Sequence, residues 1–285
     1  MPIRIYKPTS AGRRNASVNM HAEVTKTRPE KSLLTPKPKS GGRNFSGKIV
    51  SRGIGGGVKK MYRQIDFKRK DRCGIEGTVV GIEYDPNRSC HIALLQYTDG
   101  VKRYVLAPAG LTAGDTVTSH KGQAVEPNTG NAMPLRFIPT GLDVHCVELN
   151  PGKGAQMCRS AGTYAKLTNK EDDFATLQLP SGETRRVPLD SMATIGQIGN
   201  ADHRLRKLGK AGLWRKMGHR PITRGMAKSH HAHPLGGGSG RSKGNRPPCG
   251  PTGVLAKGGN TRNRKQYSSK LIIRRRTTKR HGQKK

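Results

Sequence analysis

Aspartate and glutamate are missing from the last 83 residues of this 285-residue chain, which hold 24 Lys and Arg. That excludes the mixed-sign surface by which an ordinary protein stays soluble. Aromatics are scarce at 4%, and hydrophobic residues reach only 32%. A single core spanning the whole length is therefore excluded. Cysteine is sparse too. Cys73, Cys90, Cys146, Cys158 and Cys249 are scattered, odd in number and form no C-x-x-C pair. They read as buried free thiols of a reducing compartment, not as a disulfide framework. There is no long apolar run, so nothing supports a membrane partner. The start, "MPIRIYKPTS", lacks the apolar stretch of a signal peptide. Paired carboxylates and Ser/His/Asp arrangements are absent, and Glu171-Asp172-Asp173 reads as a solvated loop beside a strand.

What is present is positive charge, a net +36 with a pI near 10.8. It is uneven: residues 1–70 hold 18 Lys/Arg against 3 Asp/Glu, residues 71–202 hold 12 against 15, and residues 203–285 hold 24 against none. A near-neutral centre thus carries two cationic flanks. Charge at that density repels itself, and a polyanion is needed to make the flanks compact. Nucleic acid is the leading partner. Glycine (37) and proline (18) are over-used, which argues for long irregular segments.

The centre reads as β. "GTVVGIEYD" is a strand candidate, and "HIALLQYTDGVKRYVLAP" is a hairpin with arms His91–Tyr97 and Val101–Leu106. Its Asp99-Gly100 pair supplies the positive φ of a tight turn. Further strands are expected at Asp115–Ser119, Asp143–Leu149 and Thr163–Thr168, and a second hairpin over Phe174–Leu189 turns at Ser181-Gly182. Short strands at this spacing predict small barrels. Glu126–Gly141 is the expected boundary between two of them. Residues 1–70 read as an extended arm without period. "ADHRLRKLGKAGLWRKMG" has room for one or two helical turns, and no regular structure is expected beyond Pro221.

"GRNFSGKI" nearly spells a phosphate loop, but Ile49 stands where a Ser or Thr must ligate magnesium, and no apolar strand precedes it. "GIGGGVKK" has no strand–helix context for a dinucleotide fingerprint. Glycines beside cations have a steric reason instead: backbone approaches a phosphate ridge while Lys59, Lys60 or Arg241 neutralises it. A plain flexible linker is the alternative. His230, His231 and His233, with Cys249, could ligate a metal, but their spacing matches no standard site. Polar residues in a basic tail are the simpler reading. Trp214 could stack on a base or anchor the tail.

The chain resembles the bacterial-type large-subunit ribosomal protein two family. The resemblance rests on "YKPTSAGRR", "SGGRN", "IGGG", "EYDPNRS", "RSAGTYA", "LGKAG" and "IIRRR", among other stretches spread in order over nearly the whole length. It implies a mainly β fold: an OB-like barrel at 71–125, then an SH3-like barrel at 126–200, between basic extensions at 1–70 and 201–285. It implies a primary rRNA binder that supports assembly, subunit association, tRNA binding and peptide-bond formation. Expected partners are large-subunit rRNA, small-subunit rRNA across the subunit interface and neighbouring ribosomal proteins, with no cofactor and no membrane. The match starts almost at Met1, which argues against an organelle presequence. A cytoplasmic ribosome is the expected location, with an organelle-encoded homologue kept open.

In the family, arginines of the "DPNRS" and "RSAGT" motifs contact rRNA, and these are Arg88 and Arg159 here. The other candidate RNA contacts are Arg13, Arg14, Arg43, Lys59, Lys60, Arg63, Lys153, Trp214, Arg215, Arg224, His233, Arg241, Arg274, Arg275 and Arg276. The family's NPVDHPHGGG run is replaced by "SHHAHPLGGG", with Ala232 in place of Asp and Leu235 in place of the second His. His233 therefore lacks the polar neighbours a catalytic histidine needs, and no enzyme activity is expected. A free nucleic-acid-binding regulator and a metal-dependent enzyme are the competing readings.

Overall fold

The hairpin expected at His91–Leu106 forms one side of the first sheet, with Lys102–Leu106 at its edge. The computed structural model describes residues 3–240, 245–257, 261–263 and 265–276, and strands account for 30% of it and helix for 8%. The first sheet is antiparallel, in the order Lys102–Leu106, Ile92–Tyr97, Gly77–Glu83, Thr116–Val117. At its turn Gly100 has φ 77°, and Asp99 Oδ1 accepts the Val101 N–H at 3.1 Å. Side chains alternate across a strand, and here both faces are covered. Ala93, Leu95, Tyr97 and Val105 face a cluster with Val79 and Val117. Ile92, Leu94, Tyr104 and Leu106 face another with Leu33, Cys90 and Ile198. That double burial explains the nearly continuous apolar run.

The second sheet has seven antiparallel strands, ordered Ile272–Arg274, Thr184–Pro188, Phe174–Gln178, Ala165–Glu171, Asp143–His145, Met192–Ile195, Ala132–Pro134. Met133, Ile138, Val144, Leu167, Leu177 and Ile195 are buried in its core. The architecture is mainly β with curled, barrel-like sheets of the OB and SH3-like kind.

Three details depart from the sequence-based expectation, and the expected boundary segment gains a strand of the second sheet. The strand expected at Asp143–Leu149 breaks at Cys146, whose φ is 51°, and Val147–Glu148 pairs instead with Ala155–Met157. Residues 1–70 hold short strands: Ile3–Ile5 pairs with Ser17–Asn19, and Leu34–Pro36 with Met61–Arg63. Three residues are too few to show a period, and their stability comes from a distant partner. The segment Glu126–Gly141 contains the edge strand Ala132–Pro134 of the second sheet. Among the described residues beyond Pro221 there is one strand, Ile272–Arg274, and two single 3-10 turns, Gly225–Ala227 and Tyr267–Ser269. The helical turns near Trp214 are present as Ala201–Leu205 (3-10) and Ala211–Lys216 (α).

The chain divides into two units, one of Met1–Lys37, Lys59–Lys210 and Lys270–Lys285, the other of Pro38–Val58 and Ala211–Ser269. All three hydrophobic clusters belong to the first. In the second, Gly42 and His233 are the buried positions among the described residues. Its turns are held by backbone hydrogen bonds, such as Gly55 N–H to Gly218 O at 2.9 Å and Val58 N–H to Lys216 O at 3.0 Å.

Candidate nucleic-acid interface

The "DPNRS" and "RSAGT" loops, far apart in sequence, meet in the first unit. Ser89 is the hinge between them: its Oγ accepts the Ala161 N–H at 3.1 Å, and its carbonyl accepts Asn200 Nδ2 at 2.7 Å. Asp85 is fully buried and organises its own loop, accepting the Asn87 N–H at 2.8 Å and Arg88 Nε at 2.5 Å. One donor of Arg88 is thereby used internally, and the rest of its guanidinium remains for a partner. Arg159 is exposed and donates Nη1 to Ala155 O at 3.2 Å. Both guanidinium groups come to one ring: the Arg88 Cζ lies 5.8 Å and the Arg159 Cζ 5.0 Å from the centroid of Phe67.

The "PGKG" loop joins the same place. Glu148, 1% exposed, accepts three backbone N–H groups: Gly154 on Oε1 at 2.7 Å, and Gly152 and Met192 on Oε2 at 3.0 and 3.2 Å. A buried carboxylate satisfied in this way fixes the loop's backbone. The Ala155 N–H then bonds the Phe67 carbonyl at 2.9 Å. Lys153 stands exposed at the tip, while Lys68 and Lys70 run against Gly154 and Gly152. Arg88 and Arg159 thus stand at the Phe67 ring, with Lys68 next to it in sequence and Lys70 and Lys153 on the adjoining loops. Phe67, Lys68 and Lys70 escaped the sequence reading. An aromatic inside the run "IDFKRK" was the available signal.

The other candidates scatter. Arg13 and Arg14 are exposed, and Arg13 stands 5.6 Å from the Tyr6 ring centroid. Lys59 is exposed and Lys60 half-buried. Arg63 differs from expectation: it is 9% exposed in a short strand, and its Nη1 is bonded to Met61 O at 3.1 Å. Its charge is turned inward, toward the buried Glu83. Arg274, Arg275 and Arg276 are exposed, and Arg275 lies 3.9 Å from Glu183. In the second unit Arg43, Arg215 and Arg224 are exposed. There Trp214 stacks on His219 at 4.0 Å with planes 17° apart, leaving the indole half exposed. Arg241 lies outside the described residues.

His233 is 7% exposed, and its Nδ1 accepts the Leu235 N–H at 3.1 Å. Its ring presses on Gly225, where any Cβ would collide with it. That is the geometry of a packed turn. His230 and His231 lie 4.0 Å apart, ring to ring. Among the described residues no three His, Cys, Asp or Glu side chains are gathered to hold a metal ion. Three thiols are poor nucleophiles: burial pushes Cys90 and Cys158 up to about 11 and Cys146 to about 12. The near-phosphate loop is a turn in which Asn44 Oδ1 accepts the Lys48 N–H at 2.9 Å. No described helix is long and apolar enough to cross a membrane.

Exposed cations gathered on loops of a small β scaffold, with basic extensions, define a nucleic-acid-binding protein. Residues 30–119 match the family described as Ribosomal Proteins L2, RNA binding N-terminal domain, and residues 128–253 match Ribosomal Proteins L2, C-terminal domain. The chain is 55% identical over 285 residues to the large ribosomal subunit protein uL2 of Rhodopirellula baltica, covering 99% of this chain and 98% of that one. It belongs to the ribosomal protein L2 family. It is a structural constituent of the large ribosomal subunit with an RNA-binding domain, and not an enzyme.

Proposed function

We propose that the chain is a primary binder of large-subunit rRNA, with Arg88, Arg159 and Lys153 as its folded contact and the basic extensions as chain that rRNA orders. The observation that carries this is the meeting of two arginine loops on one ring, within a centre of otherwise balanced charge. In this reading the barrels at 71–125 and 126–200 are the platform, and 1–70 and 201–285 thread into RNA. The exposed cations Arg13, Arg14, Arg43, Lys59, Arg215, Arg224 and Arg274–Arg276 then neutralise phosphate, and Trp214 offers a stacking face. Small-subunit rRNA and neighbouring ribosomal proteins are the further partners, in a cytoplasmic ribosome. The chain supports assembly, subunit association, tRNA binding and peptide-bond formation, while His233 seats the tail without doing chemistry.

The test is a sucrose gradient at moderate salt, together with filter binding of Arg88→Ala and Arg159→Ala to large-subunit rRNA. The chain should sediment with the large subunit, and each variant should lose about tenfold in affinity, as for one charged hydrogen bond of ~1–3 kcal/mol. Sedimentation as free protein, or unchanged affinity in both variants, would sink the reading.

A further inference from the structure

Two guanidinium groups held near one another repel, and among the described residues no carboxylate pairs with Arg159. Asp85 anchors Arg88 alone. From their distances to the Phe67 centroid, 5.8 and 5.0 Å, the two charges stand no more than about 11 Å apart. That is roughly one screening length at ordinary salt. What they share is the ring. A guanidinium within ~6 Å of an aromatic centroid is attracted by the negative π face, and both satisfy that distance.

The ring itself is fixed. Phe67 is half-buried, packed against the cluster of Leu33, Cys90, Ile92 and Tyr104. Its backbone is pinned as well: its carbonyl takes the Ala155 N–H at 2.9 Å. The preceding Asp66 turns the chain onward, its Oδ1 accepting the N–H groups of Lys68 and Arg69 at 3.0 and 2.8 Å. Arg69 in turn is buried and bonded to Gly130 O at 2.8 Å. One side chain thus ties the barrel core to two cations on separate loops, Arg88 half-buried and Arg159 exposed.

We propose that Phe67 is a positioning residue for rRNA binding, a shared shelf that holds Arg88 and Arg159 together before the phosphate backbone arrives. This rests on the reading of those arginines as rRNA contacts. The shelf lowers the cost of ordering two long side chains at the moment of binding, and the incoming phosphates relieve the repulsion it enforces. Phe67 need not touch RNA to do this.

The experiment is filter binding of the full-length chain to in vitro transcribed large-subunit rRNA at one fixed salt concentration, with circular dichroism and melting on each variant. Phe67→Leu should weaken binding by about threefold to tenfold, the loss of two cation–π contacts, with an unchanged spectrum. Phe67→Trp, with a stronger π face, should bind as well as the natural chain. Arg159→Ala should cost less in the Phe67→Leu background than alone, because the shelf has gone. If Phe67→Leu does not fold, Phe67→Met takes its place, filling the volume without a π face. Normal affinity in a folded Leu or Met variant, while the arginine variants bind weakly, overturns the shelf and leaves the rRNA reading standing. A Trp variant as weak as the Leu variant also overturns it, since the ring would then only fill space. Normal affinity in both arginine variants removes the rRNA reading and the shelf with it.

Discussion

Lowering the pH should destabilise the isolated protein through one side chain, His145. It sits in the strand Asp143–His145 with no exposure; its Nδ1 pairs with Gly196 O at 2.8 Å, and its Nε2 has no partner among the described residues. Burial lowers its pKa from 6.5 to about 4, against a smaller opposing pull from the Gly196 carbonyl, with Arg69 adding to the drop. The folded chain therefore keeps this ring neutral while the unfolded chain takes up a proton. Stability is at its full value above the unfolded pKa and is lost as pH falls through 6.5 toward 4. A gap of roughly 2.5 units at ~1.4 kcal/mol each gives about 3 kcal/mol in all, of which about 2 kcal/mol is gone by pH 5. His21 and His203 are also lowered by burial and add losses of the same sign. Urea midpoints at pH 7 and pH 5, for the natural chain and for His145→Gln, cancel those shared terms. The natural chain should lose about 2 kcal/mol more than the variant over that interval. Parallel curves would refute the reasoning and mean that the His145 ring is protonated in the fold.

Glu148→Gln keeps the shape but turns an amide N–H toward donors that now converge on a carboxylate, so it should cost about 2 kcal/mol. Trypsin should then cut faster at Lys153, read by mass spectrometry, and an unchanged rate there would show that the loop holds itself. Limited trypsin digestion without RNA should remove residues 211–269 before it opens the barrels, since the described residues of that unit hold no apolar cluster; equal protection of the whole chain would contradict this. Subunits assembled with His233→Ala should form peptide bonds within about tenfold of the natural rate in single-turnover assays from pH 6 to 8. General acid–base catalysis contributes typically ~10²–10⁴-fold, so a hundredfold loss in complete subunits would restore a chemical role to this histidine.

The parts of the fold that were legible in sequence are those whose information is local. The hairpin at His91–Leu106 carries its turn residues and two apolar arms in one stretch, and the Phe174–Leu189 hairpin does the same. The strand Ile272–Arg274 carries nothing comparable: it exists because Thr184–Pro188 offers it an edge. The break at Cys146 was likewise invisible. A cysteine at φ 51° announces nothing, and what holds it is the burial of His145 and Val147 on either side. The burial of Arg63 was hidden for a related reason. The residue looked like one more cation of a basic arm, and only the pairing of Met61–Arg63 with Leu34–Pro36 turns it inward.

The candidate site divides the same way. Arg88 and Arg159 could be named because each sits in a distinctive loop motif. Their meeting could not, because it depends on Ser89 and Asn200 closing one loop on the other. Phe67 is the sharper case. In sequence it is an aromatic among lysines, with equal claim to be core or surface. In the fold it is both, held on one side by the apolar cluster and touched on the other by two arginines. The glycine-rich stretch from Leu235 onward is the opposite extreme. Of its unit, the described residues bury a glycine and a histidine and nothing apolar, while residues 203–285 bring 24 cations and no anion. Side-chain packing cannot offset that repulsion, but phosphate can, and every counterion released from RNA adds to the gain. The information that fixes this part of the molecule therefore lies largely in its partner.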